Sequence, residues 1–443
     1  MINLPLPEAF VSRMKSQLGE EFTAFLDAMN APPVRGIRLN SMKPAAGLER
    51  FREMPAVSWA PDAYELKADS AAGSMVLHEA GAFYLQEPGA MMPAAVLDAK
   101  PGETILDLCA APGGKSTQIG IAMRGQGLLV CNEPIAKRAR ILSGNIERIG
   151  LPNTVVTCAW PEQLAERWPE GFDAVMADAP CSGEGMFRRV PESRSEWTPE
   201  RSEGCAQRQR EILKAAAGLV RPGGRLIYST CTYNPQENED NAEWFLREHP
   251  DFEAEAFRIK DINAPDGMYI CYPHRLRCEG QFAAKFRRKG EAKAVLPPEK
   301  SLPKPDREEI KTMNRLFPML PQPSYRFGKT LVYLPECPDL TGINALRVGL
   351  HLAEIRGKAA VPDHAAAMSV FPPEITSVNL DGPEAQRYLA GETTSSETEG
   401  WLLLRYNGLV LGWGKGNGGM IKNHYPKGLR RAHSVTDEVS DED

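Results

Sequence analysis

The sequence predicts an α/β chain: a doubly wound, mostly parallel Rossmann-like sheet, an N-terminal α+β region and a β-rich C-terminal domain. Three observations carry this. Between residues 104 and 248 short apolar runs alternate with helix-length segments, the pattern of parallel strands joined by crossover helices. Three polar loops, DLCAAPGGKST (107–117), DAPCSGEG (178–185) and YSTCTYNPQENE (228–239), each begin where such a run ends. Near the C-terminus, WLLLRYN (401–407) and GLVLGWGKGNGG (408–419) are short apolar runs punctuated by glycine, as in a small β domain. Ligands of doubly wound sheets sit outside the carboxyl ends of the strands, so the three loops are expected to share one crevice.

In chain order, apolar spacing predicts a helix over 8–29 and a short strand over 34–40. A turn-like segment and an apolar helix fill 78–98, closed by Pro101-Gly102. Strands are expected at 104–108, 127–131, 154–157, 173–177 and 224–229. Helices are expected after the first glycine loop and over 134–148, 200–219 and 236–248. The Pro- and Lys-rich run 289–306 reads as a linker, followed by a short helix over 307–316 and strand-like pieces such as LVYLPE. The expected division is 1–75, an N-terminal α+β region; 76–288, the core; 289–306, the linker; 307–370, an intermediate region; 371–431, a small β-rich domain; and 432–443, an acidic tail.

At 443 residues the chain exceeds one ordinary hydrophobic core. Its net charge of −6 is not that of a protein wrapped in nucleic acid, so any such contact must come from local patches. One runs from Arg405 to Arg431, six basic residues without an acidic one, before the acidic Ser434–Asp443. No apolar run reaches the roughly 18 residues of a membrane span, and no signal pattern opens the chain, so a cytoplasmic location is expected. Nine cysteines, an odd number without CxxC spacing, argue against a disulfide scaffold and a structural zinc site; no metal is expected.

CAAPGGKS is neither a Walker A loop, because Cys109 stands where its first glycine belongs, nor a GxGxxG fingerprint. What remains is a strand ending in Asp107-Leu108, a tight turn through Pro112-Gly113-Gly114, and a helix starting at Lys115. Small residues let backbone amides approach a ligand, and a helix N-terminus favours an anion. Glu133, after the next strand, stands where an acid grips ribose hydroxyls. S-adenosylmethionine offers both a carboxylate and a ribose.

Cys181 and Cys231 sit in polar loops where simple core filling is a poor explanation. Cys131, Cys158, Cys205, Cys271, Cys278 and Cys337 read as small buried hydrophobes. Two thiols on one rim suit methylation at carbon 5 of cytosine: a thiolate adds to carbon 6, carbon 5 accepts the methyl group, and a second thiol assists release. Asp178, three residues before Cys181, is placed to hydrogen-bond the base edge. If it holds a proton there, burial must raise its pKa.

Together the three loops resemble the signature motifs of the Nol/Nop/Sun-type RNA cytosine-5 methyltransferases. NEPIAKRARILSGNIERIG (132–150), HEAGAFYLQEPGAMMP (78–93) and YPHRLRCEGQFAAKF (272–286) resemble further parts of that family, and the likeness covers about 35–287. It implies Cys231 as nucleophile and Cys181 as releasing thiol, which the residues alone do not rank. It also implies that Cys109, Ala110, Ala111, Pro112, Gly113, Gly114, Lys115, Glu133 and Asp178 contact S-adenosylmethionine. The chain departs from the family after its third strand, where Trp160 and Glu162 stand in place of an acid near the adenine.

The resemblance, with a glycine-rich C-terminal end similar to the PUA-like domain of 16S rRNA methyltransferases of this family, implies 16S rRNA or the small ribosomal subunit as partner, with 1–75 as an RNA-binding region and 371–431 as a PUA-like RNA-binding domain. Candidate RNA contacts are Arg35, Arg38, Asn40, Arg188, Arg189, Lys415, Lys422, His424, Lys427 and Arg430. The same chemistry on transfer RNA, and a non-catalytic RNA-binding assembly factor, stand as alternatives; both intact cysteine loops speak against the latter. A monomer is expected.

Overall fold

The computed structural model describes residues 4–431, so the acidic tail lies outside the described residues. Strands β1 (Arg35–Leu39), β2 (Ala63–Leu66) and β3 (Phe83–Leu85) form a small antiparallel sheet in the order β2-β1-β3. The core then alternates as predicted. Strands β4 (Thr104–Asp107), β5 (Leu128–Asn132), β6 (Thr154–Thr157), β7 (Phe172–Asp178) and β8 (Val220–Thr230) run parallel in the order β6-β5-β4-β7-β8. The order reverses between β4 and β7, which opens the crevice there. Continuous burial along β5 and β6 reflects helices covering both faces.

The helix predicted over 8–29 is two helices, Glu8–Leu18 and Phe22–Asn30. The chain turns at Gly19, whose φ of 54° suits a residue without Cβ. Phe10, Phe25, Met14 and Met29 pack with Phe187, Trp197, Tyr233 and Tyr272, so the N-terminal helices buttress the two cysteine loops.

Two expectations about organisation change. The intermediate region does not stand apart, because Ala345–Val348 pairs antiparallel with β6 and joins the central sheet. At the other edge 281–288 and 268–271 add antiparallel strands beyond β8. The Pro-rich run 289–306 is not a free tether. Leu296 and Leu302 pack on the central core, and Glu299 accepts the Leu340 amide at 2.7 Å. Its composition resembles a linker, but two leucines six residues apart supply enough apolar surface to dock it.

The C-terminal sheet orders 377–379, 400–406, 409–417, 420–423 and 394–395 side by side. Leu402, Leu404 and Tyr388 from this part share one core with Ile37, Leu39 and Phe83 of the N-terminal sheet. The first and last parts of the chain are thus packed together. Among the described residues, no helix is long and apolar enough to cross a membrane.

Candidate active site

Asp107 ends β4, Asp178 ends β7, and Cys231 follows β8 by one residue, so parallel pairing delivers all three to one rim. Register brings Asp178 opposite Ser229, whose hydroxyl donates to Asp178 Oδ1 at 2.6 Å. Lys115 Nζ donates to Asp178 Oδ2 at 2.8 Å, and Gln281 Nε2 approaches Oδ1 at 3.4 Å. Burial works against the Lys115 ammonium, but the Asp178 charge outweighs it and holds the lysine above its ordinary value.

These groups surround a cavity of about 270 Å³. Cys109, Ala110, Ala111, Pro112, Gly114 and Lys115 form its glycine-loop wall, with Asp107, Asp178, Cys231 and Arg189 around the rest. Gly113 takes a φ of 113° as the helix Gly114–Ala122 starts, a left-handed backbone that favours glycine. A Cβ on Gly114 would lie 3.2 Å from Gln86, so the loop is tight as well as bent.

Asp107 is fully buried. Oδ2 accepts Ser116 Oγ at 2.6 Å, while Oδ1 has no hydrogen-bond partner. Burial lifts its pKa to about 7. A lone carboxylate oxygen at a cavity wall is a seat for a cation. Glu133 is buried one residue after β5, takes the Ile135 amide at 3.0 Å and pairs with Arg138 at 3.2 Å, outside the cavity lining. Trp160 is 59% exposed.

The two cysteines meet. Cys181 Sγ lies 3.2 Å from Cys231 Sγ and accepts the Cys231 amide at 3.3 Å. Cys231 lines the cavity, and Cys181 is not among the residues that do. The Cys181 thiol is pushed up by its hydrogen bond to Cys231, then by burial and the Cys231 charge, so it keeps its proton. Two acids that the sequence reading missed hold the loops. Glu237 accepts the Ser182 amide at 2.9 Å and Gln209 Nε2 at 2.9 Å. Glu184 takes Arg13 at 2.6 Å, Trp197 Nε1 at 3.1 Å and the Tyr233 amide at 3.1 Å. Both acids lie inside the quoted motifs, but nothing local in a sequence marks a carboxylate as a partner for a loop fifty residues away.

Three expected RNA contacts are corrected. Arg38 is buried and donates to Gln86, the Gly114 carbonyl and Thr117 Oγ1. Arg188 is buried against Glu279, with further bonds to the Ala28 and Cys278 carbonyls. Asn40 is buried and binds the Gly81 and Ile149 carbonyls. None of the three side chains reaches outward. Arg35 is half-buried and tied to the Ala68 and Ser70 carbonyls at 2.7 and 3.1 Å. The C-terminal candidates do gather. Lys415 and Lys422 are cross-strand neighbours, with Lys415 Nζ 5.4 Å from the Trp401 ring and His424 4.4 Å from it. Lys427 and Arg430 are exposed beyond them.

Residues 94–287 match the model of 16S rRNA methyltransferase RsmB/F. Residues 6–88 match the N-terminal domain of 16S rRNA methyltransferase RsmF, and 376–431 the methyltransferase RsmF PUA domain. The ribosomal RNA small subunit methyltransferase F of Escherichia coli is 31% identical over 96% of both chains. That of Klebsiella pneumoniae is 30% identical over 96% of both. A crystal structure of a methyltransferase homolog from Pyrococcus horikoshii is 27% identical at a TM-score of 0.56, covering 64% of this chain and 95% of that one.

Proposed function

The chain belongs to the 16S rRNA methyltransferase RsmB/F family, which draws its methyl group from S-adenosylmethionine, and on that premise we propose that it methylates carbon 5 of a cytosine in 16S rRNA through a covalent bond from Cys231. The observation that carries this reading is the 3.2 Å approach of the two thiols beside the glycine-loop cavity, with only Cys231 facing it.

The residues around the cavity fit the cofactor. The unpaired Asp107 Oδ1 offers a seat for its positive charge, and the tight loop before the Gly114–Ala122 helix presents backbone amides to its carboxylate. When bound, the cofactor supplies the methyl group.

Cys231 Sγ adds to carbon 6 of cytosine, forming a carbon–sulfur bond and moving the ring electron pair toward carbon 5, the carbon to be methylated. Asp178, held by Lys115 and Ser229, accepts a hydrogen bond from the exocyclic amine and orients the base. After methylation a base takes the proton on carbon 5. The carbon 5–carbon 6 double bond re-forms, and the sulfur leaves with its electron pair. Cys181, hydrogen-bonded to Cys231, assists that departure. The reaction requires an unstacked base, which costs a few kcal/mol and favours a loop or single strand.

Nucleoside analysis of 16S rRNA and small subunits, after incubation with the enzyme and S-adenosylmethionine, is expected to yield 5-methylcytidine. A methyl group on another atom or base would overturn the proposal.

Asp107 makes a pH prediction. A cation beside it favours the ionised acid, so cofactor binding expels the proton. Affinity is expected to fall by up to about tenfold per unit as pH drops below about 7, and to be flat above. Calorimetric titrations with S-adenosylmethionine across that range check it, and an affinity independent of pH would separate Asp107 from the cofactor's charge. The free protein has the opposite sign. An acid whose folded value lies above its unfolded one lowers stability as pH rises from about 4 to about 7.

A further inference from the structure

Two cationic residues line the cavity, Lys115 and Arg189. They differ in one respect: Lys115 is paired with Asp178, whereas the Arg189 guanidinium is exposed and has no partner among the described residues. Its backbone is held firmly. Arg189 and Val190 both donate to the Met186 carbonyl, at 3.0 and 2.7 Å, in a tight turn. The preceding residue, Arg188, is fixed by two hydrogen bonds of 2.9 Å to Glu279. A long cationic side chain is therefore carried on a rigid turn at the mouth of the cavity that holds the nucleophile.

We propose that Arg189 is the phosphate contact of the target nucleotide, gripping the RNA backbone beside the base that enters the cavity. The inference rests on the reading of this cavity as the cytosine site. A base cannot enter without bringing its flanking phosphates to the rim, and each carries a full negative charge. Guanidinium is suited to them because its planar fork can donate two parallel hydrogen bonds to phosphate oxygens. The net charge of −6 makes the contact more consequential, since the chain as a whole does not attract RNA. Arg189 is thus a positioning residue, acting on the backbone while Cys231 acts on the ring.

The test compares the full-length wild type with Arg189→Ala and Arg189→Lys on 16S rRNA over a salt series. Arg189→Ala is expected to raise KM for RNA about tenfold with kcat little changed, and to lower the steepness of log KM against log salt by about 0.7, the loss of one single-strand phosphate contact. Arg189→Lys should keep the salt dependence and lose less affinity. The Kd for S-adenosylmethionine, read by calorimetry without RNA, should not move. An unchanged KM and salt slope in Arg189→Ala overturns the inference. A weakened cofactor Kd also overturns it, by assigning the guanidinium to the cofactor's carboxylate instead. The arms separate this inference from the reading beneath it. A wild type that binds RNA but forms no 5-methylcytidine defeats the cytosine-5 reading, while the salt slope of RNA binding still tests the phosphate contact.

Discussion

Cys181→Ala is expected to accumulate a protein–RNA complex that survives denaturing electrophoresis, whereas Cys231→Ala forms neither complex nor methylated product. The asymmetry follows from the positions of two sulfurs of identical chemistry. Cys231 is on the cavity wall and Cys181 is not. Cys181 keeps its proton because its hydrogen bond to Cys231, 3.2 Å away, and then burial hold the thiol well above its ordinary value. The thiol nearer the base is therefore the one free to attack. Removing it should lower turnover by at least about 10³-fold, since loss of a covalent nucleophile elsewhere costs on the order of 10⁶. Removing Cys181 leaves attack and methylation possible but slows departure, so the intermediate builds up. The measurement is gel retardation of labelled 16S rRNA under denaturing conditions, with S-adenosylmethionine present. A complex formed through Cys181 in the Cys231→Ala protein would reverse the two roles.

The parallel core was legible in the sequence because strand and helix spacing differ and the loops between them carry glycine and proline. The strands at 154–157 and 172–178 fall where expected, to within a residue. What was not legible depends on contacts distant along the chain. The strand Ala345–Val348 shows no alternation of its own, and its place is set by an open edge on β6, almost two hundred residues earlier. The arginines show the same limit within the site. Arg188 and Arg189 are chemically identical and adjacent, and no local signal separates them. Glu279, about ninety residues on, claims the first and leaves the second at the cavity. Arg38 is a basic residue that the sequence offers as an RNA contact, yet the Gly114 carbonyl and Thr117 hydroxyl hold it inward.

Arg188→Ala is expected to destabilise the core by about 3–5 kcal/mol, the cost of leaving a buried charge without its partner. The side chains of Arg188 and Glu279 are 5% and 2% exposed, so water cannot replace the lost contact. The carboxylate would keep the Val34 amide at 2.9 Å as a donor, which is too little for a full charge. Two carbonyls, of Ala28 and Cys278, lose their donors in the same step, loosening the helix Phe22–Asn30 from the segment that leads into the strand 281–288. Arg188→Lys should recover only part of this, because an ammonium cannot reproduce the planar fork across both oxygens. A lower urea midpoint checks the stability, with the order wild type, lysine, alanine. RNA binding supplies the contrast with its neighbour. At temperatures where the variant remains folded, its salt dependence should match the wild type, because this guanidinium touches no phosphate. A stable Arg188→Ala protein with a shallower salt slope would instead place Arg188 on the RNA.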